Sequence, residues 1–250
     1  MPPLSHDPVV VAVVIAGLGF LIGLAKGGFN GLSGLLTPVL SLVLPVSLAV
    51  GVLLPMLLVG DAFAIASYWR EWDGRLIRRM LPVGVVGALL GTFLLAELSA
   101  NSLRLTLAAF VLLIVIYKVV SSRIEHLRYQ PAGWHAPAAG FTAGVASGMF
   151  NNGGPLFNSF LLFQGLPPRR FIGTTALFFG LLNLLKAPGF LYTGVLNLPL
   201  LVSFWWVFIF IPAGILTARR LVQRVEPRAF EWIVAGLLLF SSALLFWQSR

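Results

Sequence analysis

Long apolar stretches recur along the whole chain, and short polar segments separate them. The stretches cover residues 9–27, 47–69, 79–97, 103–122, 171–193, 196–218 and 228–247. Each approaches or exceeds the roughly 20 residues that a helix needs to cross the hydrocarbon core of a bilayer. The pattern predicts an all-α polytopic membrane protein.

The composition also indicates a lipid environment. Of the 250 residues, 58% are hydrophobic and 10% are charged, whereas a soluble domain carries about a quarter charged residues. Because so few charged side chains cannot cover a water-exposed surface, we expect the lipid bilayer to be the main partner. The sequence contains no cysteine, which excludes disulfides and thiolate metal sites. We expect no metal and no cofactor.

The formal net charge of +9 raises the question of nucleic-acid binding. The arginines, however, stand in short runs between the apolar stretches, as in cytoplasmic loops and unlike a nucleic-acid surface. We therefore expect no nucleic-acid partner.

The same arginines predict the orientation of the chain in the membrane. By the positive-inside rule, the segments rich in Arg and Lys face the cytoplasm; they are residues 70–79, 118–128, 167–170 and 219–228. Residues 97–102 and 193–199 contain no Lys or Arg and should face out. Both termini are then expected outside the plasma (bacterial inner) membrane.

Two segments of the chain are near copies of each other. "GFLIGLAKGGFN", residues 19–30, returns as "GFTAGVASGMFN", residues 140–151, with seven of twelve positions identical. The offset of 121 residues becomes 122 further on, where it pairs Asp61 with Asn183. We interpret this as an internal duplication. The predicted boundaries are 1–122 for a first membrane repeat, 123–136 for a cytoplasmic linker and 137–250 for a second repeat.

Each repeat is predicted to open with a broken hairpin. In the second repeat, the linker and Arg169 are both expected inside, yet only segments 138–151 and 154–165 lie between them. Helices of about 14 and 12 residues span about 21 and 18 Å, short of the ~30 Å hydrocarbon core. The two segments must enter the membrane and return to the same side, either as a re-entrant hairpin or as paired short helices. Segments 9–28 and 32–44 repeat the pattern in the first half.

Three full spans follow each hairpin, so each repeat crosses the membrane an odd number of times. The second repeat is then inverted relative to the first, and inverted repeats with broken helices are typical of secondary transporters. The glycines at every fourth position in both copies predict close helix packing. The breaks fall at "GGFNG" (27–31) and "FNNGGP" (150–155), where the start of the second arm offers free N–H groups to an anion.

These segments resemble the sulfite exporter TauE/SafE family, also called the four-toluene sulfonate uptake permease family. The resemblance is carried by "GLGFLIGLAKGGFNGLSGLLTPVL" (17–40), "GFTAGVASGMFNNGGPLFNSFLL" (140–162) and "GTTALFFGLLNLLKAPGFLYTGVL" (173–196). It covers nearly the whole chain. It implies membrane transport of a small sulfur-containing anion, sulfite or an organosulfonate, and leaves open the transport direction, coupling to protons and a homodimer.

Three charged residues lie inside the apolar spans, where ionisable groups mark a transport pathway or relay by default. Lys186 lies about 15 residues, or roughly 22 Å, into its span and shares a helix face with Asn183. An anion's cation partner is its natural role; the alternative is a lysine that reaches the outer headgroups. Asp61 could accept a proton and couple transport to it, or pair with a lysine. Lys26 faces either the substrate or the cytoplasmic surface.

Uncharged donors cluster near the two breaks, and a few aimed polar groups are typical of ligand pockets. The candidate binding residues besides Lys186, Asn183 and Lys26 are Asn30, Thr37, Asn151, Asn152, Gly153, Gly154, Asn158 and Thr174. Each of the polar side chains could instead serve as a helix cap.

We therefore expect a secondary transporter that works by alternating access, at a site formed by both breaks and the 171–193 helix. The alternative is an anion channel whose selectivity constriction is formed by the breaks. We expect no enzyme, because paired carboxylates and a histidine cluster are both missing from the apolar spans.

Overall fold

The computed structural model describes residues 8–27, 29–123, 132–196, 202, 205–221 and 227–248. These residues form ten α-helices and two 3₁₀ segments, and none of them is in a strand. The helices are α1 (Pro8–Gly27), α2 (Leu36–Leu40), α3 (Val46–Ser67), α4 (Gly74–Glu97), α5 (Ala100–Arg123), α6 (His135–Phe150), α7 (Gly154–Leu162), α8 (Pro168–Tyr192), α9 (Phe210–Leu221) and α10 (Pro227–Gln248). The 3₁₀ segments are Asn30–Leu35 and Trp205–Ile209. The predicted all-α fold is confirmed.

Within the part of the chain that the structure describes, four stretches of helix are long and apolar enough to cross a membrane. They are Val46–Ser67, Gly74–Glu97, Ala100–Tyr117 and Pro168–Tyr192. Shorter apolar helices cover Ala12–Gly27, Trp205–Ala218 and Val234–Trp247. The chain is a polytopic membrane protein, as its apolar pattern predicts.

One predicted span differs from the structure. The apolar run predicts a regular span over residues 196–218, but Leu196 is not helical; residues 197–201, 203 and 204 lie outside the described part of the structure. The 3₁₀ segment Trp205–Ile209 precedes α9, which has only 12 residues. The apolar composition of this stretch indicates burial in lipid or protein, but it does not fix which backbone hydrogen bonds form.

Helix α4 begins inside the arginine-rich segment 70–79 that the sequence assigns to a loop. The Asp73 carboxylate accepts hydrogen bonds from the backbone N–H groups of Arg75 (2.9 Å) and Leu76 (3.0 Å). This is an N-cap, which satisfies N–H groups that have no partner within the helix. The cap starts α4 at Gly74, ahead of the apolar run.

Both predicted helix breaks are present. Helix α6 ends at Phe150 and α7 begins at Gly154. Helix α1 ends at Gly27, and the 3₁₀ segment from Asn30 follows it. The second arm of the first hairpin is therefore a 3₁₀ segment continued by the short α2, whereas the second arm of the second hairpin is the nine-residue α7.

The chain divides into two compact units. Unit 1 comprises Met1–Ala49, Leu98–Leu127 and Leu198–Arg250, and unit 2 comprises Val50–Glu97 and Arg128–Asn197. Each unit therefore takes elements from both predicted repeats. The repeat boundaries themselves, 1–122, 123–136 and 137–250, stay a prediction.

Unit 2 contains a close crossing of α4 and α6 that only glycine permits. A Cβ atom on Gly144 of α6 would overlap the carbonyl oxygen of Gly84 on α4. In the other direction, a Cβ on Gly87 would overlap the carbonyl oxygen of Phe141. Without side chains between them, the two backbones pack in direct contact, which is how small residues stabilise helix pairs in lipid.

Unit 1 contains the same crossing between α1 and α9. A Cβ on Gly23 would overlap the carbonyl oxygen of Ile211, and one on Gly214 would overlap that of Phe20. Gly23 and Phe20 precede their counterparts in α6 by 121 residues, and Ile211 and Gly214 follow Gly84 and Gly87 by 127. The register of the crossing is thus the same in both units, and the predicted role of the glycine stripes is confirmed at these positions.

Helices α3 and α8 run antiparallel within unit 2. Gly51, near the start of α3, packs against the carbonyl oxygen of Val195, which follows α8. Gly173, near the start of α8, packs against the carbonyl oxygen of Glu71, which follows α3. These two contacts bring the middle of α3 beside the middle of α8, where Asp61 and Asn183 lie.

The α4–α6 crossing leads to a stability prediction. We expect Gly144→Ala to lower the free energy of unfolding by about 1–3 kcal/mol, because the added methyl group forces closely packed backbones apart. The measurement is the thermal unfolding temperature of the purified protein in detergent. The matched control is Gly236→Ala in α10, whose added Cβ meets no atom within 4 Å. Equal unfolding temperatures for the two variants would contradict the prediction.

Candidate functional site

Two of the buried polar side chains of α8, Asn183 and Lys186, lie near each other deep in unit 2. Lys186 is 1% exposed and Asn183 is 3% exposed. They are three residues apart and therefore about one helical turn from each other on one face of α8. Taking an ionised ammonium out of water costs several kcal/mol, so its surroundings must supply compensating partners.

The partners of Lys186 come from the break between α6 and α7. Its Nζ donates to the Ser147 carbonyl oxygen at 2.8 Å, to the Ser147 Oγ at 3.0 Å and to the Asn151 Oδ1 at 2.6 Å. The ring of Phe190 lies on another side, with its centroid 5.4 Å from Nζ. Oxygen acceptors and one aromatic face therefore contact the ammonium and compensate for its removal from water.

Asn151 connects three elements of unit 2. Its backbone has φ 54° and ψ 24°, the left-handed conformation that ends α6 and that asparagine tolerates better than most residues. Its Nδ2 donates to the Val50 carbonyl oxygen at 2.8 Å, while its Oδ1 accepts from Lys186. One side chain thus holds α3, the end of α6 and α8 in register.

Helix α7 begins immediately after this junction. Gly153 is its N-cap, Gly154 its first residue, and a proline occupies the first turn, where a missing N–H costs nothing. A Cβ on Gly153 would overlap the carbonyl oxygen of Ala143, so only glycine lets the chain turn this tightly against α6. The first N–H groups of α7 and its positive dipole end lie within three residues of Asn151.

Asp61 and Asn183, which occupy equivalent positions in the two predicted repeats, are direct partners. The Asn183 Nδ2 donates to the Asp61 Oδ2 at 2.7 Å. Asp61 is 1% exposed. The Asp61 carboxylate on α3 therefore meets α8 about one helical turn from Lys186, because its partner Asn183 lies three residues before Lys186. Both candidate charges belong to one polar region in the interior of unit 2.

Three other candidates in unit 2 are Asn152, which lies next to this region in sequence, and Asn158 and Thr174, which bond to other partners. Asn152 is 1% exposed and follows Asn151 directly. The Asn158 Oδ1 accepts from Thr175 Oγ1 at 3.0 Å, which ties α7 to α8. The Thr174 hydroxyl donates to the Arg170 carbonyl and accepts from the backbone N–H of Asp73. Thr174 is 12 residues from Lys186 on α8, about 18 Å along the helix axis, so α8 does not bring these two side chains together.

Three candidates belong to unit 1. Lys26 is in the last turn of α1, and Thr37 is buried in α2 with 1% exposure. Asn30 begins the 3₁₀ segment, and its side chain lies outside the described part of the structure. The expectation that both breaks contribute to one binding site stays a prediction.

Sequence reasoning missed two partners of Lys186. Ser147 is not among the candidates that the sequence offers, although its carbonyl and its hydroxyl both accept hydrogen bonds from the ammonium. Phe190 lies four residues after Lys186 and is fully buried at 0% exposure. Its i, i+4 spacing from a buried lysine is the signal that could have identified it.

The comparisons with known proteins give one family. Residues 15–245 match the family described as Sulfite exporter TauE/SafE, so the match covers nearly the whole chain. Comparison with curated proteins finds no match, and comparison with solved structures finds none. The chain therefore belongs to the sulfite exporter TauE/SafE family, a family of membrane transporters.

Proposed function

We propose that this protein carries a small sulfur-containing anion, sulfite or an organosulfonate, across the plasma membrane, with Lys186 as the cation that binds it. The observation that carries the proposal is a lysine with 1% exposure inside a helix long enough to span the membrane, in a chain of this family. The arginine distribution supports an orientation with both termini outside.

The chemistry of the site suits an oxyanion. A sulfite or sulfonate group presents three oxygens, each of which needs a donor when it leaves water. The ammonium of Lys186 donates and carries the opposite charge, and the start of α7 adds N–H groups and a positive dipole end. The hydroxyl of Ser147, 3.0 Å from the ammonium, can also turn its proton toward an anion.

The geometry of the helices favours alternating access over a fixed channel. If α3 and α8 are equivalent elements of two repeats, their antiparallel packing is the arrangement that inverted repeats produce. The shared register of the α4–α6 and α1–α9 crossings supports the same assignment. In such transporters the two repeats exchange conformations around a central site, which exposes it to each side in turn.

Asp61 is the proposed site of proton coupling. Its carboxylate is buried and bonded to the amide of Asn183 on the same helix as Lys186. A carboxylate beside an anion site repels the anion unless the carboxylate carries a proton. Substrate and proton would then move together.

The first test replaces the charge of Lys186. In proteoliposomes, we expect Lys186→Met to abolish saturable uptake of labelled sulfite, taurine and sulfoacetate, because an apolar side chain of similar length cannot neutralise an anion in the membrane. Binding to the purified protein should fall at least about tenfold, the factor for 1.4 kcal/mol, as for one lost charge-assisted hydrogen bond.

The matched control is Arg169→Gln, which removes one positive charge from the first turn of the same helix, where the side chain is 72% exposed. We expect it to bind and transport as the wild type does. Wild-type protein that binds acetate as well as any sulfur anion, or uptake unaffected by Lys186→Met, would refute the proposal. Uptake stimulated by unlabelled substrate on the far side indicates a carrier, whereas uptake without such stimulation indicates a channel.

The second test separates proton coupling from substrate binding. We expect Asp61→Asn to retain exchange of labelled for unlabelled substrate but to lose the acceleration produced by an imposed pH gradient, because an amide neither takes up nor releases a proton. The control is Glu97→Gln, which neutralises a carboxylate at the exposed end of α4. A response to the pH gradient that survives in Asp61→Asn would show that the coupling lies elsewhere.

A further inference from the structure

We propose that Asn151 is an internal competitor of the substrate: its amide oxygen holds the position on the Lys186 ammonium that an anion oxygen takes on binding. The inference rests on the proposed function, since it assumes that the anion binds at Lys186. The sequence suggests that Asn151 binds the substrate, whereas we infer that Asn151 competes with the substrate for Lys186. Both roles place Asn151 at the same site.

The number of donors on the ammonium leads to this conclusion. A lysine ammonium has three N–H donors and no acceptor. Among the described residues, the Ser147 carbonyl, the Ser147 hydroxyl and the Asn151 amide oxygen are three oxygens that accept from Lys186. An anion cannot gain a full hydrogen bond from this ammonium unless one of the three oxygens leaves.

Asn151 is the partner that can leave. The Ser147 carbonyl belongs to the backbone of α6 and also accepts from the Asn151 N–H at 3.0 Å, so it is fixed by the helix. Asn151 stands outside the helix, at the break, and is only partly buried, whereas Ser147 is 2% exposed. Rotation of the Asn151 side chain breaks its bonds to Lys186 and to the Val50 carbonyl and thereby frees the ammonium.

The exchange is favourable because an anion is the stronger acceptor. A hydrogen bond between two ionised groups is stronger than one between an ammonium and a neutral amide. In the absence of substrate, the amide satisfies a buried charge that would otherwise have an unsatisfied donor. Asn151 therefore stabilises the empty site and weakens the apparent affinity for the anion, since part of the binding free energy is used to displace it.

The effect of removing the Asn151 side chain on anion affinity distinguishes a competitor from a ligand. Glycine at position 151 tolerates the left-handed backbone (φ 54°) and removes the competing amide. We expect purified full-length Asn151→Gly to bind sulfite and sulfoacetate about fivefold more tightly in calorimetric titration, which corresponds to one ordinary hydrogen bond. If Asn151 is a ligand, the same variant binds more weakly.

A second variant keeps the inference falsifiable if Asn151→Gly does not fold, since Asn151→Gly also loses the bond to the Val50 carbonyl. Asn151→Asp retains the shape of the side chain but places a carboxylate on the ammonium. We expect it to bind the same anions at least about tenfold more weakly, because a carboxylate holds the ammonium more strongly than an amide does. Unchanged or tighter binding by Asn151→Asp, or weaker binding by a folded Asn151→Gly, overturns the inference.

Binding by the wild-type protein distinguishes failure of the proposed function from failure of the competitor role. If wild-type protein binds neither sulfite nor sulfoacetate, the proposed function fails and the competitor role fails with it. If the wild type binds and Lys186→Met does not, but Asn151→Gly binds more weakly than the wild type, only the competitor role fails.

Discussion

The ammonium of Lys186 is the group around which unit 2 is organised. It lies within a membrane-length helix at 1% exposure, where an ionised group is stable only if several acceptors converge on it. Those acceptors come from the end of α6, at Ser147 and Asn151. Ser147 lies within α6, whereas Asn151 follows Phe150, where α6 stops and the chain turns. The helix break thus supplies one acceptor of the buried charge, and Asn151 also connects it to α3 through the Val50 carbonyl.

Close packing of glycines makes this arrangement possible in lipid. Between apolar helices a bilayer supplies no hydrophobic driving force, so direct backbone contact and polar pairs must hold the helices together. The α6 arm is held against α4 by glycine on both sides of the crossing, at Gly144 and Gly84. The same crossing recurs between α1 and α9 in unit 1. This packed arm ends at the contact between Lys186 and Asn151 that we propose the substrate replaces.

The sequence predicts the helical membrane fold, the two breaks and the close glycine crossings, because each depends on local spacing or residue type. It also identifies Lys186, Asp61 and Asn183, since buried polar groups in apolar spans are rare. It does not predict that Ser147 and Asn151 bind Lys186, because hydrogen bonds between residues 39 and 35 positions apart depend on how the helices pack. Thr174 shows the opposite error. Its hydroxyl is a suitable donor for an anion at the break, but Thr174 lies near the start of α8, where its hydroxyl accepts from the Asp73 N–H.

The most direct test of the central claim is a structure of the wild-type protein with selenite, the selenium analogue of sulfite, located by anomalous scattering from selenium. We expect one strong peak beside Lys186, with a selenite oxygen about 2.7–2.9 Å from its Nζ and the Asn151 amide turned away. A selenite site at the exposed arginines, with Lys186 still bound to Ser147 and Asn151, would contradict the account.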